Sequence, residues 1–479
     1  MTADLRRLLE DLCASAPDLA VQGIQYDSRL VRPGDCFVAV PGEKSDGGRF
    51  IDQALARGAV AVISESGTGP RIHHVKDARR ALSVMAARFH GEPSRHLGVV
   101  GITGTKGKTT TSYFLESVLE KAGMRPGVLG TVDYRWPGFR EEAGRTTPES
   151  ADLQRMLARM LEAGSRTAVM EVSSHALVLG RVRDVAFRCA VFTNLASDHL
   201  DYHKTLEAYR DAKGILFRDL DPSATAVLNA DDPVAERYRK DCKAEVLTYG
   251  MEVPADFKAS ILDAGWESTR ILLDTPKGKT EAVLHLIGRH NVMNALAAGA
   301  AGIAMGLSAS QAAEGLSALT GVPGRLERIA CGLPFRVFVD YAHTEESLRS
   351  LLKTARSFTQ GRVLLAFGCG GDRDRTKRPR MGAVAQEMAD VVVATSDNPR
   401  SEEPLAILAE VRAGMTGSRS YHVEADRAAA IRWLTAQAKE GDTVLIAGKG
   451  HEPGQILKDR TVPFDDREEA LKAVRERGG

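Results

Sequence analysis

The residues best suited to chemistry form one short run, Gly101-Ile102-Thr103-Gly104-Thr105-Lys106-Gly107-Lys108-Thr109-Thr110. A strict Walker A loop needs Gly five residues before its Gly-Lys pair, and Ile102 stands there, so this loop is a variant. The physics is retained. Gly104 and Gly107 let backbone N–H groups approach a phosphate, Lys108 reaches the outer phosphates, and Thr109 offers a hydroxyl to Mg²⁺. An ordinary glycine-rich turn is the competing reading. It is disfavoured because an apolar run, 97–102, precedes the loop and a helical pattern (Phe114, Leu115, Val118, Leu119) follows it.

Two more polar groups close apolar runs. Glu171, Ser173, Ser174 and His175 end the run that begins at Ala168, and Asn194, Asp198, His199, Asp201 and His203 follow the run 189–193. A carboxylate and an imidazole from neighbouring strand ends can hold a Mg²⁺ that is also bound to nucleotide phosphates. Taken singly, each such Glu or His is more often a hydrogen-bonded structural group than a ligand. The histidines at 175, 199, 203 and 290 lack zinc spacing and have no cysteine beside them. Farther on, Asp397-Asn398-Pro399-Arg400 follows the run 391–395, which predicts a loop at a strand's carboxyl end.

Positioning these groups requires alternating strands and helices. Strand candidates at 97–102, 168–172, 189–193 and 226–228 alternate with helical stretches such as 150–163, as in a mostly parallel α/β sheet. After Gly321-Val322-Pro323-Gly324, candidates at 336–339, 363–367, 391–395 and 443–447 predict a second such sheet. Three domains are expected: 1–95, 96–321 and 322–479. A chain of 479 residues exceeds what one core usually supports.

Composition sets the outer limits. Hydrophobic residues make up 43% and charged residues 27%, a globular balance, and the net charge of +1 gives no support to a general nucleic-acid or membrane-surface role. Six scattered cysteines without a C-x-x-C pair suggest reduced thiols. Leu5, Leu8, Leu9 and Leu12 predict an amphipathic helix over 1–13, not a signal peptide. The stretch 295–307 is too short to span a bilayer and reads as a buried helix. A cytoplasmic protein is expected.

Taken in order, the motifs resemble those of the Mur ligases, ATP-dependent enzymes that build the peptide stem of bacterial cell-wall precursors. The resemblance covers essentially the whole chain: Gly104 to Thr110, Glu171 to His175, Asn194 to His203, Gly288-Arg-His-Asn-Val-Met-Asn294, Pro323-Gly-Arg-Leu-Glu327, Asp340-Tyr-Ala-His343 and Gly448-Lys-Gly-His-Glu452. Asp27-Ser28-Arg29, Thr146-Thr147-Pro148 and Asp397 to Arg400 resemble the members that add the third residue of the stem.

The resemblance implies a central P-loop-type domain with a mostly parallel sheet, a smaller N-terminal α/β domain and a C-terminal Rossmann-like α/β domain. It also implies roles. Gly104, Thr105, Lys106, Gly107, Lys108, Thr109 and Thr110 would hold ATP, with His290, Asn291 and Asn294 on the adenine side and Arg325 and Asp340 closing over the nucleotide. Thr109, Glu171 and His199 would serve magnesium, with Lys213 as a carbamate (N6-carboxylysine) at a second ion. Lys108, Glu171, His199 and Lys213 are therefore the expected catalytic set. Ser28, Lys44, Ser45, Thr146, Thr147, Ser173 and Arg181 would grip a UDP-N-acetylmuramoyl dipeptide. Arg373, Asp397, Asn398, Pro399, Arg400, Gly448 and Glu452 would hold meso-diaminopimelate.

The chain departs from the family at several positions. Lys106 stands where Asn is usual, Arg145 where Asn is common, Leu179 where Gln often occurs, and Thr344-Glu345-Glu346 replaces Thr-Pro-Asp. A lysine-adding relative, a folate polyglutamate synthetase and a P-loop ATPase switch are the competing readings. Small-molecule substrates, no nucleic acid, no membrane insertion and a monomer are expected.

Overall fold

Runs of apolar residues bounded by glycine turns become strands, and the segments between them coil with one apolar stripe inward. The computed structural model describes residues 2–42, 46–330 and 332–478, so Lys44, Ser45 and Cys331 lie outside the described residues. The described cysteines are free thiols.

The chain falls into two compact units. The first runs to Leu262 and takes in Arg270–Val283 and His290–Leu319. It contains a four-stranded parallel sheet built from Gly23–Gln25, Asp35–Val38, Ala61–Ser64 and Ile72–His74. It also carries most of an eleven-stranded sheet whose centre is parallel. There Gly98–Thr103 lies between Thr167–Glu171 and Phe187–Phe192, with Thr225–Asn229 and Glu245–Gly250 beyond. Strands buried on both faces read as continuous apolar runs, which is why the sequence marks them so clearly. The hydroxyl of Tyr26 donates to Asp152 at 2.6 Å and ties the smaller sheet to the helix Ser150–Glu162.

The helix Lys108–Lys121 follows the central strand and buries Phe114, Leu115, Val118 and Leu119 completely. Each such side chain contributes roughly 1.5–3 kcal/mol. Gly123, at φ +73°, lies just beyond its last turn. The stretch expected as a buried helix forms the core of Arg289–Ala304. Among the described residues, no helix is long and apolar enough to cross a membrane.

The second unit comprises Asp263–Thr269, Leu284–Arg289 and the chain from Thr320 onward. Its six-stranded sheet runs in the order Glu327–Ile329, Arg336–Asp340, Thr443–Ala447, Val363–Phe367, Val391–Thr395, Tyr421–Glu424. All neighbours after the first pair are parallel. The loops after residues 340, 367, 395 and 447 therefore gather along one edge. Thr344 and Ser347 cap the helix Glu345–Phe358 reciprocally, so the departure after His343 forms a capping box.

The amino-terminal helix is a correction. Only Leu5–Leu8 is helical, because Ala3–Asp4 pairs with Ala20–Val21 as a strand and Asp4 caps the turn by accepting from the Arg7 amide. Leu5, Leu8 and Leu9 are nevertheless buried, so the apolar spacing is used by one helical turn and the turns that follow.

Candidate active site

The phosphate loop leaves the central strand after Thr103 and enters the helix at Lys108. Gly104 and Gly107 have φ of +146° and +85°, conformations that side-chain-bearing residues avoid. A Cβ on Gly104 would also strike Thr193, and one on Gly107 would strike Asn294. The neighbouring strand end shapes the loop: Asn194 Oδ1 accepts from the Lys106 amide at 2.9 Å, and the Thr105 amide donates to the Asn194 carbonyl at 2.8 Å. Lys108 Nζ folds back onto its own loop, donating to the carbonyls of Gly104 at 2.9 Å and Thr105 at 3.1 Å. Thr110 is buried in the first turn.

Glu171 ends the strand beside the loop and is almost fully buried. It accepts from the Thr109 hydroxyl at 3.1 Å, the Thr131 amide at 2.8 Å and the Thr131 hydroxyl at 2.9 Å. A carboxylate and a threonine hydroxyl at this spacing are the hard oxygen donors that Mg²⁺ takes. Among the described residues no group of three or more His, Cys, Asp or Glu could hold a metal.

Lys213, on the helix Leu206–Arg218, is buried and donates to the Gly104 carbonyl at 2.9 Å, with Tyr209 covering it at 4.3 Å. Burial, reinforced by Lys108, holds its amine well below the usual lysine range. His199 is exposed and edges onto His175 at 5.2 Å and Tyr209 at 6.0 Å, so His199 and Lys213 share Tyr209. Lys106 pairs with Asp198 at 3.2 Å. Burial raises the Asp198 carboxyl, but Lys106 and His199 outweigh it and bring the group down to about 2. Asn294 donates to Asn291 at 3.1 Å, whereas His290 is exposed in the first turn of its helix.

Thr146, Thr147, Ser173 and Arg181 gather beside Glu171. Thr146 bonds Thr131 at 3.1 Å, the Thr147 hydroxyl donates to the Glu171 carbonyl at 2.8 Å, and the Ser173 amide donates to Thr147 at 3.0 Å. Arg181 donates to Glu149 at 3.1 Å and to the Thr147 carbonyl at 3.2 Å. Arg145 also pairs with Glu149, at 3.6 Å, and Leu179 caps the short helix Ser174–Val178. Ser28 is not brought to this group. It sits on the four-stranded sheet's side and donates to Gln53 at 2.6 Å.

In the second unit, the strand-end loops bring Asp340, Gly371, Asp397 to Arg400 and Gly448 to Glu452 together. The Gly448 amide donates to the Asp340 carbonyl at 3.0 Å, and the Gly371 amide donates to the Asn398 carbonyl at 2.9 Å. Asp340 accepts from the Leu326 amide at 2.7 Å, and Arg325 stacks on Tyr341 at 4.9 Å. The Glu402 amide donates to the Pro399 carbonyl at 3.1 Å. Arg400 takes a left-handed backbone, φ +54°, and its guanidinium donates to the Gly371 carbonyl at 2.8 Å. Among the described residues Arg400 forms no ion pair, and the exposed Arg373 forms neither a hydrogen bond nor an ion pair. Arg400 is half-buried rather than enclosed.

Beneath these loops lie two buried cations that the sequence reading passed over. Arg378 is fully buried between Glu402 and Glu410, both at 2.8 Å. Arg427 pairs with Asp466 at 2.7 Å, with both side chains inaccessible, and donates to the carbonyls of Ser396 at 3.1 Å and Ala447 at 3.0 Å. Thr131 and Tyr209 were also missed as parts of the first site. The signal for Thr131 was available, since it follows the strand Pro126–Leu129, which pairs with the strand that ends in Glu171.

A parallel α/β sheet whose central strand ends in a glycine-lysine loop beside a buried carboxylate defines a protein of the P-loop type. Three family models narrow this: Mur ligase family, catalytic domain, over 20–90; Mur ligase middle domain, over 102–302; and Mur ligase, glutamate ligase domain, over 324–450. The chain belongs to the Mur ligase family. It is 48% identical to a UDP-N-acetylmuramoyl-L-alanyl-D-glutamate--2,6-diaminopimelate ligase of Solibacter usitatus over 470 residues, covering 96% of this chain and 95% of the relative. It is 44% identical to the ligase of the same name from Bacillus velezensis, over 95% of each chain. A solved structure bearing that ligase name superposes with a TM-score of 0.74 at 33% identity, covering 100% of both chains.

Proposed function

We propose that this chain joins meso-diaminopimelate to the D-glutamyl carboxylate of UDP-N-acetylmuramoyl-L-alanyl-D-glutamate, converting ATP to ADP and phosphate. The observation that carries this reading is the 48% identity to a ligase of that name across 96% of the chain. The arrangement of Asp397 to Arg400 supports the identity of the amine substrate.

The chemistry asks for a leaving group on the acceptor carboxylate. Transfer of the γ-phosphoryl group to a carboxylate oxygen makes an acyl phosphate. The amine then attacks the carbonyl carbon, and the tetrahedral oxyanion collapses, expelling phosphate as the C–N bond is completed. The amides of the phosphate loop cradle the β- and γ-phosphates, and Lys108 exchanges its loop carbonyls for phosphate oxygens. Thr109 and Glu171 are the groups to hold a magnesium ion, with His199 and Lys213 at a second. Magnesium, when bound, offsets charge on the transferring phosphoryl group.

Lys213 is read as the carbamate. Burial pushes the amine's pKa down and so favours its neutral form, which attacks the carbon of CO₂ and loses a proton, leaving an anion able to bind metal in place of the amine. Thr146, Thr147, Ser173 and Arg181 line the face where the dipeptide carboxylate must approach Glu171's ion, and Ser28, Lys44 and Ser45 are assigned to the uridine end. His290, Asn291 and Asn294 are assigned to the adenine side, with Arg325 and Asp340. The domain bounds 1–95, 96–321 and 322–479 belong to this reading, as do a monomeric state and a cytoplasmic location.

For the amine, Arg400 offers a guanidinium fork to the distal carboxylate that diaminopimelate has and lysine lacks. Arg373, Gly448 and Glu452 face the other end. Mass analysis of the product made from the UDP-muramoyl dipeptide, ATP and equimolar diaminopimelate and lysine tests the proposal. A diaminopimelate tripeptide is expected. A lysine product overturns the substrate assignment, and ADP release that ignores both substrates overturns the ligase.

A further inference from the structure

Lys449 stands out as a fully buried lysine, enclosed among the loops assigned to the incoming amino acid. Its ammonium has three acceptors: Asn398 Oδ1 at 3.0 Å, Glu452 Oε2 at 3.1 Å and the Gly454 carbonyl at 2.7 Å. Three N–H donors meet three oxygens, so the group is saturated inside the protein and has nothing left to offer a ligand.

Its partners are then constrained in turn. Asn398 Oδ1 also accepts from the Ile456 amide at 2.9 Å, while its Nδ2 donates to Glu452 Oε2 at 2.7 Å. Both ends of this buried amide are engaged by protein, and its O/N orientation follows from the network: two donors face Oδ1 and a carboxylate faces Nδ2. Asn398 was expected among the groups that hold diaminopimelate. The structure makes it a strut between two loops. Asp397 is differently placed: its Oδ1 accepts from the Asn398 amide at 2.6 Å, and its Oδ2 points along the Gly448 backbone.

Resting on the reading above, we infer that Lys449 is the positioning residue of the amino-acid pocket, cross-linking the 397–400 loop to the 448–456 segment through Asn398 and Glu452. Arg400 and Glu452, the two groups assigned to opposite ends of the amino acid, are then held in one register by a cation that touches neither end of it. The Arg400 amide donates to the Ile456 carbonyl at 3.0 Å, which extends the cross-link to the base of the guanidinium. Removing Lys449 leaves the Glu452 carboxylate without its cation and Asn398 Oδ1 without one of its two donors, and releases both loops together. A neutral methyl-thioether in its place keeps the volume and loses all three bonds.

Steady-state kinetics on Lys449→Met, with unfolding followed in parallel, test this. The expected result is a rise in KM for diaminopimelate of about ten- to a hundred-fold, since hydrogen bonds to charged groups are lost at the grip. KM for ATP and for the UDP-muramoyl dipeptide should stay within about two-fold. Lys449→Gln, which keeps donors but not the charge, should fall between the two and serves if the methionine variant does not fold. Unchanged KM for diaminopimelate in a folded variant overturns the inference, and so does an equal rise in all three KM values. The unmutated protein separates this from the substrate reading: failure to use diaminopimelate there sinks the assignment of the pocket, whatever Lys449 does.

Discussion

Lys108 and the buried cations of the second unit are held in opposite ways. At the phosphate loop, Lys108 and Lys213 donate to carbonyl oxygens, and among the described residues Lys213 has no carboxylate within ion-pair range. In the second unit the buried cations Arg378, Arg427 and Lys449 are each matched by carboxylates: Glu402 with Glu410, Asp466, and Glu452. Arg400 and Arg373 at that edge form no ion pair among the described residues. The positive charge of Lys108 and Arg400 is held by carbonyl dipoles, which give way to a phosphate or carboxylate, whereas Lys106 and Arg181 rest against Asp198 and Glu149. Positive charge meant for architecture is neutralised in place, because a buried charge without a partner is strongly destabilising.

Breaking the first half of this contrast should have the largest effect. Lys108→Ala should lower ligation by about a thousand-fold or more, because charge on the transferring phosphoryl group loses its nearest cation. Its unfolding curve should match that of the unmutated protein, since the lost bonds are to loop carbonyls. Near-normal turnover in the folded variant would remove the phosphate loop from the mechanism.

Next is Lys213→Ala, where the charge is proposed to be inverted. Ligation should fall by about a hundred-fold. It should recover in part when a small carboxylate such as acetate is added, because the acid takes the place of the carbamate. No recovery at any concentration would mean that Lys213 acts as an amine.

The smallest effect falls on choice rather than rate. Arg400→Ala should reduce the preference for diaminopimelate over lysine by about ten- to a hundred-fold, the worth of a charge-assisted hydrogen bond. Competition between the two amino acids in one tube measures this directly, and an unaltered ratio would place the distal carboxylate elsewhere.

How much of this was legible in the sequence follows the same division. The phosphate loop declares itself within ten residues, because its conformation depends on Gly104 and Gly107 and its chemistry on Lys108 and Thr109. The strands show as apolar runs for the same local reason, and Thr167–Glu171, Val363–Phe367 and Val391–Thr395 fall where the runs place them. Nothing local in the sequence marks Arg378 and Arg427 as buried. Their partners lie 24 and 32 residues on for Arg378 and 39 for Arg427, and sheet order alone decides that they meet. The bridging role of Asn398 was illegible for a related reason: Lys449, which engages its oxygen, is 51 residues away. The amino-terminal leucines kept the spacing of a helix, yet pairing of Ala3–Asp4 with Ala20–Val21 limits the helix to one turn.

The pair between Arg427 and Asp466 also has a bearing on the order of events during synthesis. On a growing chain the guanidinium leaves the ribosome 39 residues ahead of its carboxylate. Until Asp466 follows, closing the sheet around Arg427 would bury an unneutralised cation, so the strand ends at Ser396 and Ala447 stay unfastened. One aspartate thus offsets the cost of a cation that fastens two strand ends at once.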